Sequence, residues 1–372
     1  MNKKLITIYA TVAIIFAVTA CSNEKTLQAN DTSSEKVEQL QLKVAGYDYN
    51  RIEGIFTGKV KIDNCEIEFT KLGISDANTA AFTGEGTYDI TEIGLHPYML
   101  AYANDDFRGY TLIPVFPLKT FRHKSIFIRS DKGITSPEDL KGRRIATPYY
   151  SSSSLTWIRG MLQDEYDIKP EDITWVQSNK NSDADLVGKS SANEQFIPKG
   201  ITVEKGPIGK DESQLLVDGD VDALFHAVEP KAYVEGNPLV QRLFPDSKKV
   251  EMDYYKRTGI FPIMHAVAIK TSLIEKYPWL PQAVFEAYSK SKTQHYAFLN
   301  KIGWAYSSMP WFSQDFDETK KVMGENFWSY GIEENRKSLE TLFRYSYEQG
   351  LSSKQLSIED LFHESTLELT EE

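Results

Sequence analysis

The chain has 372 residues, 41% hydrophobic and 26% charged, enough apolar material for a folded core, and its formal net charge is −11. That acidity, without a polybasic run, argues against nucleic acid as a partner. Cys21 and Cys65 are the two cysteines, so a CxxC metal site is excluded and no intramolecular disulfide is expected.

Met1 to Lys4 is basic, Leu5 to Val18 is apolar, and small residues follow up to Ala20. This is the grammar of a secretory signal over residues 1–20, since a membrane span needs about 20 apolar residues. Val18-Thr19-Ala20-Cys21 resembles the bacterial lipobox. The resemblance implies that Cys21 is acylated and begins a mature protein tied to a membrane, at the periplasmic or extracellular face of the cell envelope. Asn23 to Gln41 is polar and poor in aromatics, so 21–41 reads as a flexible tether. The remaining ~330 residues exceed what one core usually absorbs, which predicts two lobes. Lobe 1 takes 42–129, lobe 2 takes 130–256, and 257–372 returns to lobe 1 and adds C-terminal helices.

Leu42 to Tyr49 alternates as a first strand and delivers Asn50-Arg51 at its C-terminal end, where ligands bind in open α/β sheets. Gly54 to Gly58 is a turn, Glu66 to Leu72 a strand, Ser75 to Gly84 a helix. Tyr88 to Leu95 is a third strand, followed by His96-Pro97 and a helical Tyr98 to Tyr102. Thr111 to Ile128, with Pro114 and Pro117, reads as a connection between lobes. Ser136 to Gly142 is a capped helical turn. Arg144 to Thr147 is a short buried strand stopped by Pro148, and Leu155, Ile158, Leu162 and Tyr166 then recur at helical spacing. Ile173 to Val176 is a strand, and Asn179 to Lys199, polar and aperiodic, reads as a surface insertion. Ser213 to Phe225 is helix, turn and strand, with His226 to Glu229 at the strand end. Asn237 to Asp246 is loop, and Tyr254 to Pro262 is a second crossing that leads into apolar His265 to Ile269. From Leu273 the chain is helical: Val284 and Tyr288 share one face, and Leu339, Leu342, Phe343 and Tyr347 another. The fold class is α/β.

Chemistry concentrates at the helix start that carries Ser151, Ser152, Ser153 and Ser154. Free N–H groups and the positive end of a helix, with hydroxyls beside them, suit a carboxylate, sulfonate or phosphate, although the same serines can simply cap. Arg51, Arg122, Arg159 and Arg257 are the cationic candidates, because a guanidinium fork grips a carboxylate and stays charged when buried. Arg122 and Arg257 flank the crossings. His96, His123 and His265 stand at segment boundaries, as a proton donor or ligand contact would. Tyr47, Tyr49, Tyr149 and Tyr150 could stack on a flat ring. No HxH, HxxxH or HExxH spacing occurs, so no metal is expected; without GxSxG, GxGxxG or Walker sequences, neither a serine hydrolase nor a nucleotide cofactor is expected.

Trp157-Ile158-Arg159-Gly160, Leu162 to Tyr166, Arg257-Thr258-Gly259-Ile260-Phe261-Pro262-Ile263-Met264-His265, Phe121-Arg122-His123 and Asn335-Arg336-Lys337 resemble the 4,5-dihydroxyphthalate decarboxylase family. So do Tyr330-Gly331, Arg344-Tyr345-Ser346 and Glu348 to Leu351, and the similarity runs from about Leu42 to Phe362. That family is itself similar to solute-binding proteins of the type II periplasmic fold, which serve sulfonate and thiamine-precursor transporters. The resemblance implies a two-lobed type II periplasmic-binding-protein-like fold whose cleft closes on a ligand. The serine-rich turn and His96 depart from the family pattern, and the lipobox departs from a cytoplasmic enzyme's address. The expectation is a lipid-anchored, monomeric solute-binding protein that captures a small organic anion, an aromatic or other carboxylate, and hands it to an ABC permease. The alternative is a decarboxylase of a dihydroxylated aromatic acid, with His123 or His265 as the acid and Arg122 and Arg257 holding carboxylates. The tyrosine, arginine, histidine and serine candidates above would then be shared by both readings.

Overall fold

The computed structural model describes residues 39–83 and 86–371, so the signal 1–20, Cys21 and most of the tether lie outside the described residues. In chain order the strands are β1 (Leu40–Gly46), β2 (Cys65–Lys71), β3 (Ile90–Gly94), β4 (Tyr110–Lys119), β5 (Ile126–Arg129) and β6 (Arg144–Thr147). They continue with β7 (Thr174–Gln177), β8 (Val203–Lys205), β9 (Ala223–Phe225), β10 (Val240–Arg242) and β11 (Ile263–Lys270). Two mixed sheets result, β2-β1-β3-β11-β4 and β10-β5-β9-β6-β7-β8, and both belong to one contact unit, Gln39–Glu372.

In the first sheet β1 runs parallel to β2 and β3, whereas β11 inserts antiparallel between β3 and β4. Every residue of β3 is buried, as a central strand covered on both faces requires. Leu40 pairs with Cys65, so Leu40 and Gln41 leave the expected tether and join β1. The segment expected to connect the lobes contains a ten-residue strand, β4. Its Pro114 and Pro117 are tolerated because β4 is a sheet edge, where a missing N–H removes no ladder bond.

The second sheet takes β5, which pairs with β9 and β10, so the first crossing falls at 120–125 and not after Arg129. β10 likewise occupies part of the expected loop 237–246. The two crossings lie side by side: the Thr120 amide donates to the Pro262 carbonyl at 2.9 Å, and the Phe121 and Phe261 rings stack with centroids 4.8 Å apart.

The long helix Leu280–Tyr306 packs on the first sheet, with Val284 and Tyr288 buried. Another C-terminal helix, Arg336–Glu348, packs instead on Ser153–Tyr166, which follows β6 of the second sheet. Tyr345 meets Trp157 edge to face at 5.5 Å and fills the place where a Gly160 Cβ would stand, so only glycine fits there. Leu339, Leu342 and Phe343 are buried, but Tyr347, in the last turn, is 49% exposed. No helix among the described residues is long and apolar enough to cross a membrane.

Candidate functional site

A cavity of about 300 Å³ opens where β1, β3, β6 and β9 end, the carboxyl-end location that sheets of this kind reserve for ligands. Its size suits one ring with substituents. Tyr47 and Tyr49 enter from the segment after β1, Ser152 to Ser154 from the start of Ser153–Tyr166, Arg122 from the first crossing and His265 from β11.

His265 stands opposite Gly94 of β3, and the register of β11 against β4 shifts on both sides of it. Such irregularities re-aim a side chain. Glu92 lies one diagonal away on β3, opposite Val267, and its Oε1 meets His265 Nδ1 at 2.5 Å. The same carboxylate accepts the Tyr49 hydroxyl at 2.9 Å and the Tyr47 amide at 3.0 Å. Gly46 makes room for it, since a Cβ there would come within 2.9 Å of Glu92 Oε2. Held at Nδ1, His265 presents Nε2, which has no partner among the described residues, to the cavity it lines. Burial pushes the Tyr47 phenol up to about 12 and raises Tyr49 further, helped by Glu92, so both stay neutral donors.

Arg122 is 6% exposed. Its Nε donates to Met264 Sδ at 3.3 Å, and Nη1 donates to the Ala227 carbonyl at 2.9 Å and the Ser125 hydroxyl at 3.4 Å. Nη2 has no partner, and no carboxylate pairs with this guanidinium, among the described residues. Burial lowers its pKa to about 10, which leaves it charged at neutral pH. A buried, unpaired cation is costly, and an anion in the cleft would relieve that cost. The serine helix adds its positive end. Ser152 caps it by position without a side-chain bond, and its hydroxyl meets Ser154 Oγ at 3.0 Å, whereas Ser153 Oγ donates to the Met264 carbonyl at 2.9 Å.

The expected surface insertion is part of the site. Asp183, Leu186, Val187 and Glu194 line the cavity, and this segment docks on the helix Ile74–Phe82 of the first sheet. There the Lys189 amide donates to Asp76 Oδ1 at 3.0 Å and Ser75 Oγ to Glu194 Oε1 at 3.0 Å. Its local signal was the spacing Ser191 to Glu194, a capping box. Glu92 had a clearer signal, a lone carboxylate in an apolar strand.

Several sequence candidates do not line the cavity. Arg257 is 56% exposed and pairs with Glu165, because the last turns of their two helices meet at the surface. His123 is packed between Phe244 and Tyr254, and burial together with Arg257 lowers it to about 4. Arg51 is sandwiched by Tyr49 and Trp328 and donates to the Pro117 carbonyl at 2.6 Å. Arg159 is on the buried face of the serine helix, stacked on Tyr150, with Nε donating to Gln349 Oε1 at 2.8 Å. His96 is buried behind the serine turn, bridging the Ser151 carbonyl at 2.7 Å and the Ser346 hydroxyl at 3.0 Å. Ser151 turns away, its hydroxyl donating to the Phe196 carbonyl. Tyr149 lines the cavity, whereas Tyr150 is core.

Comparison with known proteins adds four findings. A family described as NMT1/THI5 like matches residues 94–192. A protein of Comamonas testosteroni named 4,5-dihydroxyphthalate decarboxylase is 34% identical over 332 residues, 89% of this chain and 99% of its own. One of the same name from Pseudomonas putida is 32% identical over 220 residues, 59% of this chain and 83% of its own. Among solved structures, a periplasmic sulfonate-binding protein from Methylobacillus flagellatus KT superposes with a TM-score of 0.53 at 14% identity, covering 89% of this chain and 93% of that one.

Proposed function

Since the chain belongs to the 4,5-dihydroxyphthalate decarboxylase family and has a fold of the periplasmic-binding-protein kind, we propose that its cleft captures a small organic anion, an aromatic or other carboxylate, for an ABC-type transporter. The observation that carries this reading is Arg122: a buried guanidinium in the cavity wall, with a free Nη2 and no carboxylate in direct contact among the described residues, Glu251 acting on its charge only from a distance. A ligand carboxylate would take that Nη2 and share its second oxygen with the first turn of the serine helix, while Tyr47 and Tyr49 flank the ring. The lipobox sequence supports a place outside the cytoplasm, with Cys21 as the anchor. Cys21→Ala is expected to move the protein from the membrane to the soluble fraction, and unchanged fractionation would reject the anchor.

A second reading is favoured by the Glu92–His265 pair and by the relatives' name. In a decarboxylase the bond between ring carbon and carboxylate breaks, CO₂ leaves without the electron pair, and that pair takes a proton at the ring carbon. The proton would come from Nε2–H of a His265 imidazolium, whose Nδ1–H is held by the Glu92 carboxylate, leaving the neutral imidazole after transfer. Calorimetry and CO₂ release, measured together on a panel of aromatic and aliphatic carboxylates, separate the two. Saturable heat without CO₂ supports capture. Turnover that disappears in His265→Ala reverses the choice, and silence across the panel removes the carboxylate assignment from both.

A further inference from the structure

A cluster of exposed aromatic side chains lies outside the cavity. The helices Leu280–Tyr306 and Phe312–Met323 are joined by the turn 307–311 and close tightly on each other, the Phe312 ring filling the space that a Gly303 Cβ would take. Around that turn Trp304, Tyr306, Met309 and Trp311 are each 58–73% exposed, and the Phe298 ring stands edge to face on Tyr306 at 5.0 Å. Single exposed apolar side chains are ordinary, but five at one turn make a patch that calls for a partner.

The charge around the patch says which kind. Asp and Glu make up 53 of the 372 residues, about one in seven, yet Ala287 to Gln314 contains none and carries Lys290, Lys292 and Lys301. Lys292 is taken by Glu371 at 2.6 Å, which leaves Lys290 and Lys301 for the rim. The first acids after the turn are already matched: Asp315 and Glu318 both pair with Lys248, at 2.6 and 2.7 Å, and Asp317 lies 3.7 Å from Lys320. The patch is thus aromatic at its centre and free of acid at its rim, in a protein that is acidic elsewhere. Those are the two requirements of the headgroup layer of an anionic bilayer, where Trp and Tyr place an apolar ring below a wet N–H or O–H and lysines meet lipid phosphates. A bilayer is also within reach, because residues 21–38 fully extended span at most ~60 Å from the lipobox cysteine to β1. A body held by that tether alone could turn any face to the membrane, and a second contact would fix one.

We propose that the helical turn 304–311 is a second membrane contact, which inserts Trp304, Tyr306, Met309 and Trp311 into the headgroup layer of an anionic bilayer and sets how the cleft stands on the membrane. The proposal rests on the lipobox reading for the nearness of a membrane, and its test leaves Cys21 out.

Both sheets and the helices that cover them belong to the contact unit Gln39–Glu372, so residues 22–372 fold without the signal and the cysteine. The experiment floats this protein with vesicles of phosphatidylglycerol and phosphatidylcholine in equal parts. The wild type is expected to float with the vesicles, a result that depends on no variant folding. Trp304→Ser combined with Trp311→Ser should weaken binding ~10-fold or more at an unchanged melting temperature, since both rings are exposed. Brominated acyl chains should quench indole fluorescence in the wild type and lose that effect in the double variant. A wild type that stays in solution overturns the proposal, as does a double variant that floats equally well. A wild-type dimer that the double variant splits, seen without vesicles, also overturns it and gives the patch to a second copy of the chain. Failure of the Cys21→Ala fractionation test would remove the lipid anchor and leave the vesicle result standing, so the two readings fail separately.

Discussion

Arg122 and Arg159 are both buried, both lie where the sequence reading looks for an anion site, and neither has a carboxylate partner among the described residues. Their surroundings differ. Arg159 is covered by Tyr150, with its guanidinium carbon 4.0 Å above the ring, and by Gln349 at the end of the Arg336–Glu348 helix, so an aromatic face and an amide oxygen meet it inside the core, although its Nη1 has no partner among the described residues. Arg122 has one wall of carbonyl, hydroxyl and sulfur and another that is open cavity. Burial lowers the pKa of both groups, so the shift does not distinguish them. What distinguishes them is where the unsatisfied side of the cation faces: against a fixed ring it is architecture, and against a cavity it is a binding group.

The largest expected effect comes from breaking the architectural one. Arg159→Ala removes a stacked side chain, strands Gln349 Oε1 and leaves a void, which should cost about 4 kcal/mol of unfolding free energy. Anion affinity of the folded fraction should be unchanged. Arg122→Ala should do the reverse. It should weaken carboxylate binding ~100-fold, about 2.8 kcal/mol, while the melting temperature holds or rises because a buried charge with no carboxylate in contact is gone. Denaturant titration and calorimetry on the two variants test this directly. If Arg122→Ala unfolds early and binds normally, the contrast between the two regions is wrong.

Neither outcome is legible in the sequence, because the partners that decide it are remote: Gln349 is 190 positions from Arg159 and Glu165 is 92 from Arg257. Local signals fare better. The alternation of β1 to β3, the helix after Gly94 and the strand, proline and serine-capped helix from Arg144 to Tyr166 are all written within a few residues, and the structure has them. β4 is hidden by Pro114 and Pro117, whose tolerance depends on an edge position that only the finished sheet defines. β8 and β10, three residues each, have too little pattern to read. Of the site, the serine turn, Arg122, His265 and Tyr49 are readable because they sit at strand and helix ends. Asp183 and Glu194 are not, since they arrive on an aperiodic segment that gains its position by docking on Ile74–Phe82.

A pH profile sharpens the contrast at a smaller scale. Burial lowers His96 to about 3, with the Arg159 charge acting in the same direction. Its unfolded value is near 6.5, so the unfolded chain binds the proton first. Stability is therefore constant above about pH 6.5 and is lost progressively as pH falls from there toward 3. Between pH 7 and pH 5 the loss from His96 should be about 2 kcal/mol. His96→Gln should flatten that part of the slope in denaturant titrations, and an unchanged slope would show that His96 is not held neutral. His123, lowered to about 4, adds a slope of the same sign that His96→Gln leaves in place.

The smallest expected effect separates function from architecture at the serine turn itself. A serine at the N-cap usually stabilises its helix by accepting an amide hydrogen bond, and its loss costs ~1 kcal/mol. Ser152 makes no such bond; its hydroxyl meets Ser154 Oγ and lines the cavity. Ser152→Ala should accordingly leave unfolding free energy within ~0.5 kcal/mol of the wild type, because no cap is lost. Carboxylate affinity should nevertheless fall about 5-fold, roughly 1 kcal/mol, the size of one neutral hydrogen bond to the ligand. The reverse pattern, lower stability with unchanged affinity, would place Ser152 with Arg159 among the groups that build the helix, and would leave Arg122 to hold the anion without help from the serine turn.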